Sequence, residues 1–223
     1  MNQSLIFLFG HQERKDNMEL KNYEINGEKI DIKDISKISN SANSTFEKEC
    51  VTAILFEKPI IFSDYTVENY NMDFWHMGSL ENKDLKTNSA GRKYYNIKPC
   101  NNTLYSNKCT NCVDHIYPIN IRSTLRDKCI YRMSTIEWFR IIIEKINNNE
   151  PNVKAWQVNT LNSKRTIEKQ LKIRFQEKEI DYLIILKDVG DKYYFITSYP
   201  VFEHKQKKEL DKEYKSKDSI KIK

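Results

Sequence analysis

Four sets of residues in this chain have types and spacings that can do chemistry. Cys100-x8-Cys109-x2-Cys112-x2-His115 offers three thiols and an imidazole, the donor set of a closed, tetrahedral structural zinc site. The Cys-x2-Cys pair lets both sulfurs reach one metal from a tight turn. A metal would also give so polar a loop a reason to be ordered. The first spacing departs from the commonest finger pattern, and His115 fits an ordinary loop residue as well. His76 follows Phe74-Trp75 directly and precedes the small-residue break Gly78-Ser79. It fits either a proton-transfer group or a core histidine with a satisfied hydrogen bond. Arg122, Arg126, Lys128, Arg132 and Arg140 form a dense run of cations, and guanidinium groups grip phosphate bidentately where lysine offers a point charge. Solvated arginines at a helix entrance fit the same string. Thr197, Ser198 and Tyr199 come last, just before Pro200. Proline has no ladder donor and ends or edges a strand. Two hydroxyls and a phenol therefore sit where a strand leaves its sheet, facing either a cleft or plain solvent.

The elements that must hold these groups are legible from periodicity. Tyr182 to Leu186 and Tyr193 to Ile196 are aromatic and β-branched runs flanking Lys187 to Lys192, a charged turn that contains Gly190. They predict a β-hairpin. Asn26-Gly27 between alternating residues predicts a smaller hairpin over 22–36. Ser44 and Glu47 form a capping-box pattern, and Phe46, Cys50, Ala53 and Ile54 recur at helical spacing, which predicts a helix over 45–57. Ser134 and Glu137, with Ile136, Phe139, Ile143 and Ile146, predict another over 135–147. Strands are expected at 59–62, at 127–133 presenting Arg126 and Arg132, and at 153–158. A short helix is expected at 165–175. The apolar run at 4–9 reads as a buried strand or a docked terminus, being too short for a secretory segment or a membrane span.

The whole chain has 223 residues, enough to bury a substantial core. One α+β domain is expected over 1–205, with the irregular stretch 81–118 inserted in it. A charged tail is expected over 206–223, read as a solvated helix fraying into disorder. A formal charge of +6, from 37 basic and 31 acidic side chains, leans toward a polyanionic partner. Five cysteines, odd in number and unevenly spread, fit a reducing compartment better than a disulfide framework, so a cytoplasmic location is expected.

Taken together, Phe74-Trp75-His76, then Arg126-Asp127 through Arg132 with Trp138 following, then Trp156, then Ile196-Thr197-Ser198-Tyr199 resemble a family of phage- and mobile-element-encoded proteins. That family is assigned to the barnase, EndoU, colicin E5/D and RelE-like (BECR) group of nucleases. The resemblance spans about residues 60 to 205. Ser198 stands where the family has a small alanine, and the cysteine-bearing segment stands as an insertion. Arg122 competes with Arg126 and Arg132 for the phosphate role.

The resemblance implies an N-terminal helical layer packed on a curved antiparallel sheet, with the cleft on the open face of the sheet. It implies metal-independent RNA cleavage, in which the ribose 2′-hydroxyl attacks the adjacent phosphorus and leaves a 2′,3′-cyclic phosphate. His76 would serve as general acid or base, Arg126 and Arg132 would hold the scissile phosphate, and Thr197 and Tyr199 would bond to it or orient the ribose. The implied partner is RNA, tRNA or mRNA, with a cognate inhibitor protein in a toxin setting. No catalytic cofactor, small-molecule cofactor or membrane enters, and zinc would be structural only. Two other classes compete: a non-catalytic, zinc-containing nucleic-acid binder, and a structural protein of a virus or mobile element.

Overall fold

The computed structural model describes residues 24–25, 28–29, 35–81, 85–87, 89, 93–95, 118–161, 165–178, 180–216 and 219–222. Strands β1 (Glu24–Ile25) and β2 (Glu28–Lys29) pair antiparallel with Ile25 opposite Glu28, the hairpin expected around Asn26-Gly27. Helix α1 (Ile35–Thr45) runs on as a π-helical turn, Phe46–Cys50. Two short hairpins follow, β3 (Ile54–Leu55) with β4 (Lys58–Ile61) and β5 (Thr66–Val67) with β6 (Tyr70–Asn71). Helix α2 (Met72–Gly78) leads straight into β7 (Ser79–Glu81). Strands β8 (Leu85–Thr87) and β9 (Lys93–Tyr95) pair with each other, and β10 (Pro118–Ile121) pairs with β11 (Thr124–Lys128). Helices α3 (Ile130–Ser134) and α4 (Ile136–Asn147) precede the long strands β12 (Val153–Leu161), β13 (Ile167–Glu177), β14 (Ile180–Asp188) and β15 (Tyr193–Pro200). Helix α5 (His204–Lys215) and β16 (Ile220–Ile222) close the described chain.

The architecture is α+β, with helices followed by a curled, antiparallel-rich sheet. The main sheet has seven strands in the order β16-β12-β13-β14-β15-β4-β3, antiparallel except where β4 runs parallel to β15. Its centre is the hairpin β14–β15. Tyr182, Ile184 and Leu186 of β14 join the large core with Phe46, Phe74, Trp75 and Phe139, contributed by the helical side. Leu183, with Ile185 beside it, faces the opposite way into a smaller cluster with Trp156, Val158, Val201 and Leu210 of α5. Both faces of β14 are covered, which is why its sequence is a continuous apolar run instead of an alternation.

A bulge in β15 reverses its facing. Tyr193 and Phe195 point into the large core, but the register slips where Ile185 pairs with Thr197 and Leu186 with Phe195, leaving Ile196 as the extra residue. Beyond it Ser198 turns inward, 3.2 Å from the Tyr182 hydroxyl, while Tyr199 packs against the smaller cluster.

Several expectations need correction. Residues 165–175 are not a helix, because Leu171, Ile173 and Phe175 alternate into the core as part of β13. The helix expected over 45–57 lies earlier, at Ile35–Thr45, so Ser44 falls in its last turn and caps nothing there, although Phe46 and Cys50 are fully buried as expected. The strand over 127–133 ends at Lys128, and Arg132 rides on α3. The segment read as a fraying tail forms α5 and β16. Asp211 of α5 takes Arg174 at 2.9 Å, Glu213 takes Lys172 and the Trp156 indole at 2.7 Å each, and β16 pairs with β12. The run at 4–9 lies outside the described residues.

Candidate active site

Helix α2 carries His76, and its neighbours fix the helix firmly. The Asn71 side chain caps it by accepting from the Asp73 amide at 2.8 Å. The buried Asp73 carboxylate accepts from the Ser63 amide at 2.7 Å. Burial raises the Asp73 pKa, with the Ser63 amide and the Arg122 charge pulling the other way. Phe74 and Trp75 are fully buried, and the Trp75 indole donates to the Val67 carbonyl at 2.8 Å. His76 lies between them and the surface, half-buried. At the end of α2 a β-carbon on Gly78 would stand 3.1 Å from Met133 Cγ, so the glycine lets α3 approach closely.

Strand β7 then pairs with β11, setting Arg126 opposite Glu81 and Lys128 opposite Ser79. The Arg126 guanidinium is almost wholly buried. It donates from Nε to Ser79 Oγ at 2.7 Å, from Nη1 to Glu81 Oε1 at 2.8 Å and from Nη2 to the Ser79 carbonyl at 3.2 Å. Arg132 is also buried. Its Nη1 donates to the Ser79 carbonyl at 2.6 Å, and its Nη2 donates to the carbonyls of Ser198 at 2.9 Å and His76 at 3.2 Å. Strand β4 pairs with β15 at Tyr193 and Tyr194, and the Ser198 carbonyl lies further along β15, where Arg132 bonds to it.

The Arg132 guanidinium carbon sits 5.9 Å from the centre of the Tyr199 ring, and the Tyr199 hydroxyl accepts from Gln206 Nε2 at 2.9 Å. Arg122 is exposed in the β10–β11 turn, 5.3 Å over the Tyr65 ring. Burial drives the His76 pKa down to about 4. The Arg126 charge lowers it further, Glu81 works against this, and Arg132 and Arg122 lower it again. At neutral pH the imidazole is therefore an uncharged proton acceptor set in a field of guanidinium groups.

Of the predicted site residues, Arg126 and Arg132 meet at the Ser79 carbonyl, and Arg132 reaches the His76 backbone carbonyl and the face of the Tyr199 ring, while the His76 imidazole feels both guanidiniums electrostatically. Thr197 does not join them by any described contact; it pairs with Ile185 immediately beyond the bulge. The candidate residues also do not lie on the open face of the sheet, where the cleft was expected. That face carries α5, and the cluster stands instead where α2, α3 and β7 meet the edge of β15. Sequence reading missed Ser79 and Glu81. Ser79 was marked only as a small residue after Gly78, and nothing local distinguishes Glu81 from the chain's other acids. Cys100, Cys109, Cys112 and His115 lie outside the described residues. Among the described residues no three His, Cys, Asp or Glu side chains converge as a metal site, and Cys50 and Cys129 are buried, with Cys50 Sγ donating to the Ile136 carbonyl at 3.6 Å. No helix among the described residues is long and apolar enough to cross a membrane. No family model, curated protein or solved structure matches the chain significantly.

Proposed function

We propose that the chain is a metal-independent endoribonuclease of toxin or phage-effector type, acting on tRNA or mRNA with His76 as its proton acceptor. The observation that supports the reading is that buried Arg132 links the His76 backbone and the Tyr199 ring from distant parts of the chain, with the His76 imidazole in the field of Arg126, Arg132 and Arg122. The 2′-hydroxyl passes its proton to His76 while its oxygen bonds to phosphorus and the P–O5′ bond breaks. The 5′-oxygen takes a proton from solvent water as it leaves, and a 2′,3′-cyclic phosphate remains. Arg126 and Arg132 supply a fixed positive field for the developing phosphorane charge, which needs no reorganisation during reaction. Arg122, exposed and electrostatically linked to His76, would touch the phosphate directly. Tyr199 orients the ribose. DNA, lacking the nucleophile, is bound and not cut. Cys100, Cys109, Cys112 and His115 would hold a structural zinc ion by the chemistry of their donors, with no part in the reaction.

One observation favours a second reading, that of a nucleic-acid binder without catalysis. Arg126 and Arg132 already serve protein acceptors, as scaffold arginines do. Incubating RNA with the protein in EDTA separates the two. The nuclease yields cyclic-phosphate ends that vanish in His76→Ala and drop sharply in Tyr199→Phe. Intact RNA with the natural protein leaves the binder.

A further inference from the structure

Helix α5 turns part of its charge toward the sheet: two of its three acids and Lys207, 3.5 Å from Asp181, find partners there, while Glu209 is exposed. Asp211 meets the buried Arg174 at 2.9 Å, and Glu213 meets Lys172 at 2.7 Å. Its one buried apolar side chain, Leu210, also points inward. Lys205, Lys208, Lys212 and Lys215 recur at steps of three and four, which places them on one outward face, and all four are exposed. The sole ion pair formed by these four among the described residues is Lys205 with Glu209, at 3.9 Å between side chains 86% and 65% exposed, too loose to neutralise the stripe. Lys205 stands in the first turn, where the helix dipole disfavours cations, while Lys212 and Lys215 in the last turn are favoured by it, so the dipole accounts for only part of the stripe. From Lys205 to Lys215 the stripe runs about 15 Å, a charge every turn or so. It starts beside the candidate site, because Gln206 of the first turn is bonded to the Tyr199 hydroxyl.

We infer that the outer face of α5 is a track for the phosphate backbone of a nucleic-acid strand, carrying the flanking part of the chain away from His76. This rests on the nucleic-acid reading above and extends it to a second, sequence-independent contact surface. Charge complementarity selects a polyanion, and the helix offers no exposed apolar side chain for insertion into a bilayer. A phosphate backbone is thus favoured over an anionic lipid surface.

The test uses the full chain and a fluorescein-labelled, single-stranded all-deoxy oligonucleotide, which has the phosphates and no 2′-hydroxyl to attack. Anisotropy titrations over a range of salt concentrations compare the natural protein with the variant Lys205→Gln/Lys208→Gln/Lys212→Gln/Lys215→Gln. Circular dichroism checks that the variant is folded. Releasing four cations should make the slope of log K against log salt shallower by about 3 and weaken binding at least tenfold at low salt. An unchanged slope in the lysine variant overturns the track even if RNA is cleaved. A stripe-dependent slope with uncut RNA upholds the track and removes the nuclease. Binding to phosphatidylserine vesicles but not to the oligonucleotide, or to neither, overturns the track.

Discussion

Replacing Arg132 with methionine asks whether this guanidinium is scaffold or ligand grip. Methionine retains much of the hydrocarbon length and removes the charge and every donor. The structure gives Arg132 three backbone acceptors: Ser79 at 2.6 Å, Ser198 at 2.9 Å and His76 at 3.2 Å. Each carbonyl left dry costs about 1–3 kcal/mol. The longest contact contributes least, so the loss should be about 3–5 kcal/mol, in the range for breaking a buried charged network. A domain of this size has about 5–15 kcal/mol in hand, and each kcal/mol moves its melting temperature by about 2–4 °C. Arg132→Met should therefore melt about 6–20 °C lower and shift the urea midpoint down with an unchanged slope. Arg132→Lys should recover only part, since an ammonium cannot span carbonyls on α2, β7 and β15 at once. Thermal melts and urea titrations of the three proteins decide it. If Arg132→Met is as stable as the natural protein while RNA binding or cleavage is lost, the scaffold reasoning is wrong and Arg132 is a phosphate ligand.

The remaining expectations use the same contacts. The folded His76 pKa of about 4 lies below its ordinary 6.5, so the unfolded chain binds more protons between those values. Folding stability should fall as pH drops from about 6.5 to about 4, by about 1–3 kcal/mol. His76→Gln should flatten that limb, and an NMR titration placing the imidazole at or above 6.5 would contradict it. Asp181→Asn should loosen α5, because Asp181 holds the buried Arg174 through contacts of 2.8 and 2.7 Å and takes Lys207 at 3.5 Å. A loss of about 2–4 kcal/mol is expected, with faster exchange of the Trp156 indole proton, and an unaltered exchange rate would refute it. Gly78→Ala brings a β-carbon within 3.1 Å of Met133 Cγ and should cost about 1–2 kcal/mol. Adding Met133→Ala should relieve part of the clash, which a double-mutant cycle in urea measures.

The hairpin of residues 181–202 and the helix carrying Trp138 follow from local pattern alone. A continuous β-branched and aromatic run cannot sit in water, and Ile136, Phe139, Ile143 and Ile146 share one helical face. The segment at 165–175 misled because Ile167 and Leu171 are four apart, a spacing that both helix and strand satisfy. Its neighbours β12 and β14 made the choice. The charged end misled in a similar way. Asp211 and Glu213 read as solvated until Arg174 and Lys172, on a strand 37 and 41 residues earlier, give them partners.

By itself the sequence determined which groups are available: an imidazole beside two aromatics, a run of guanidiniums and a phenol at a strand end. It marked individual elements too, the helix over 135–147 and the hairpin over 181–202, because periodicity is a local property of the chain. Where those groups point was decided by tertiary structure. A single extra residue, Ile196, reverses the facing of β15, turning Ser198 toward Tyr182 and Tyr199 outward. Pairing of β7 with β11 seats Glu81 against Arg126, a contact across 45 residues that no local pattern encodes. Both depend on register, and register is fixed only when strands from distant parts of the chain bury their apolar faces together.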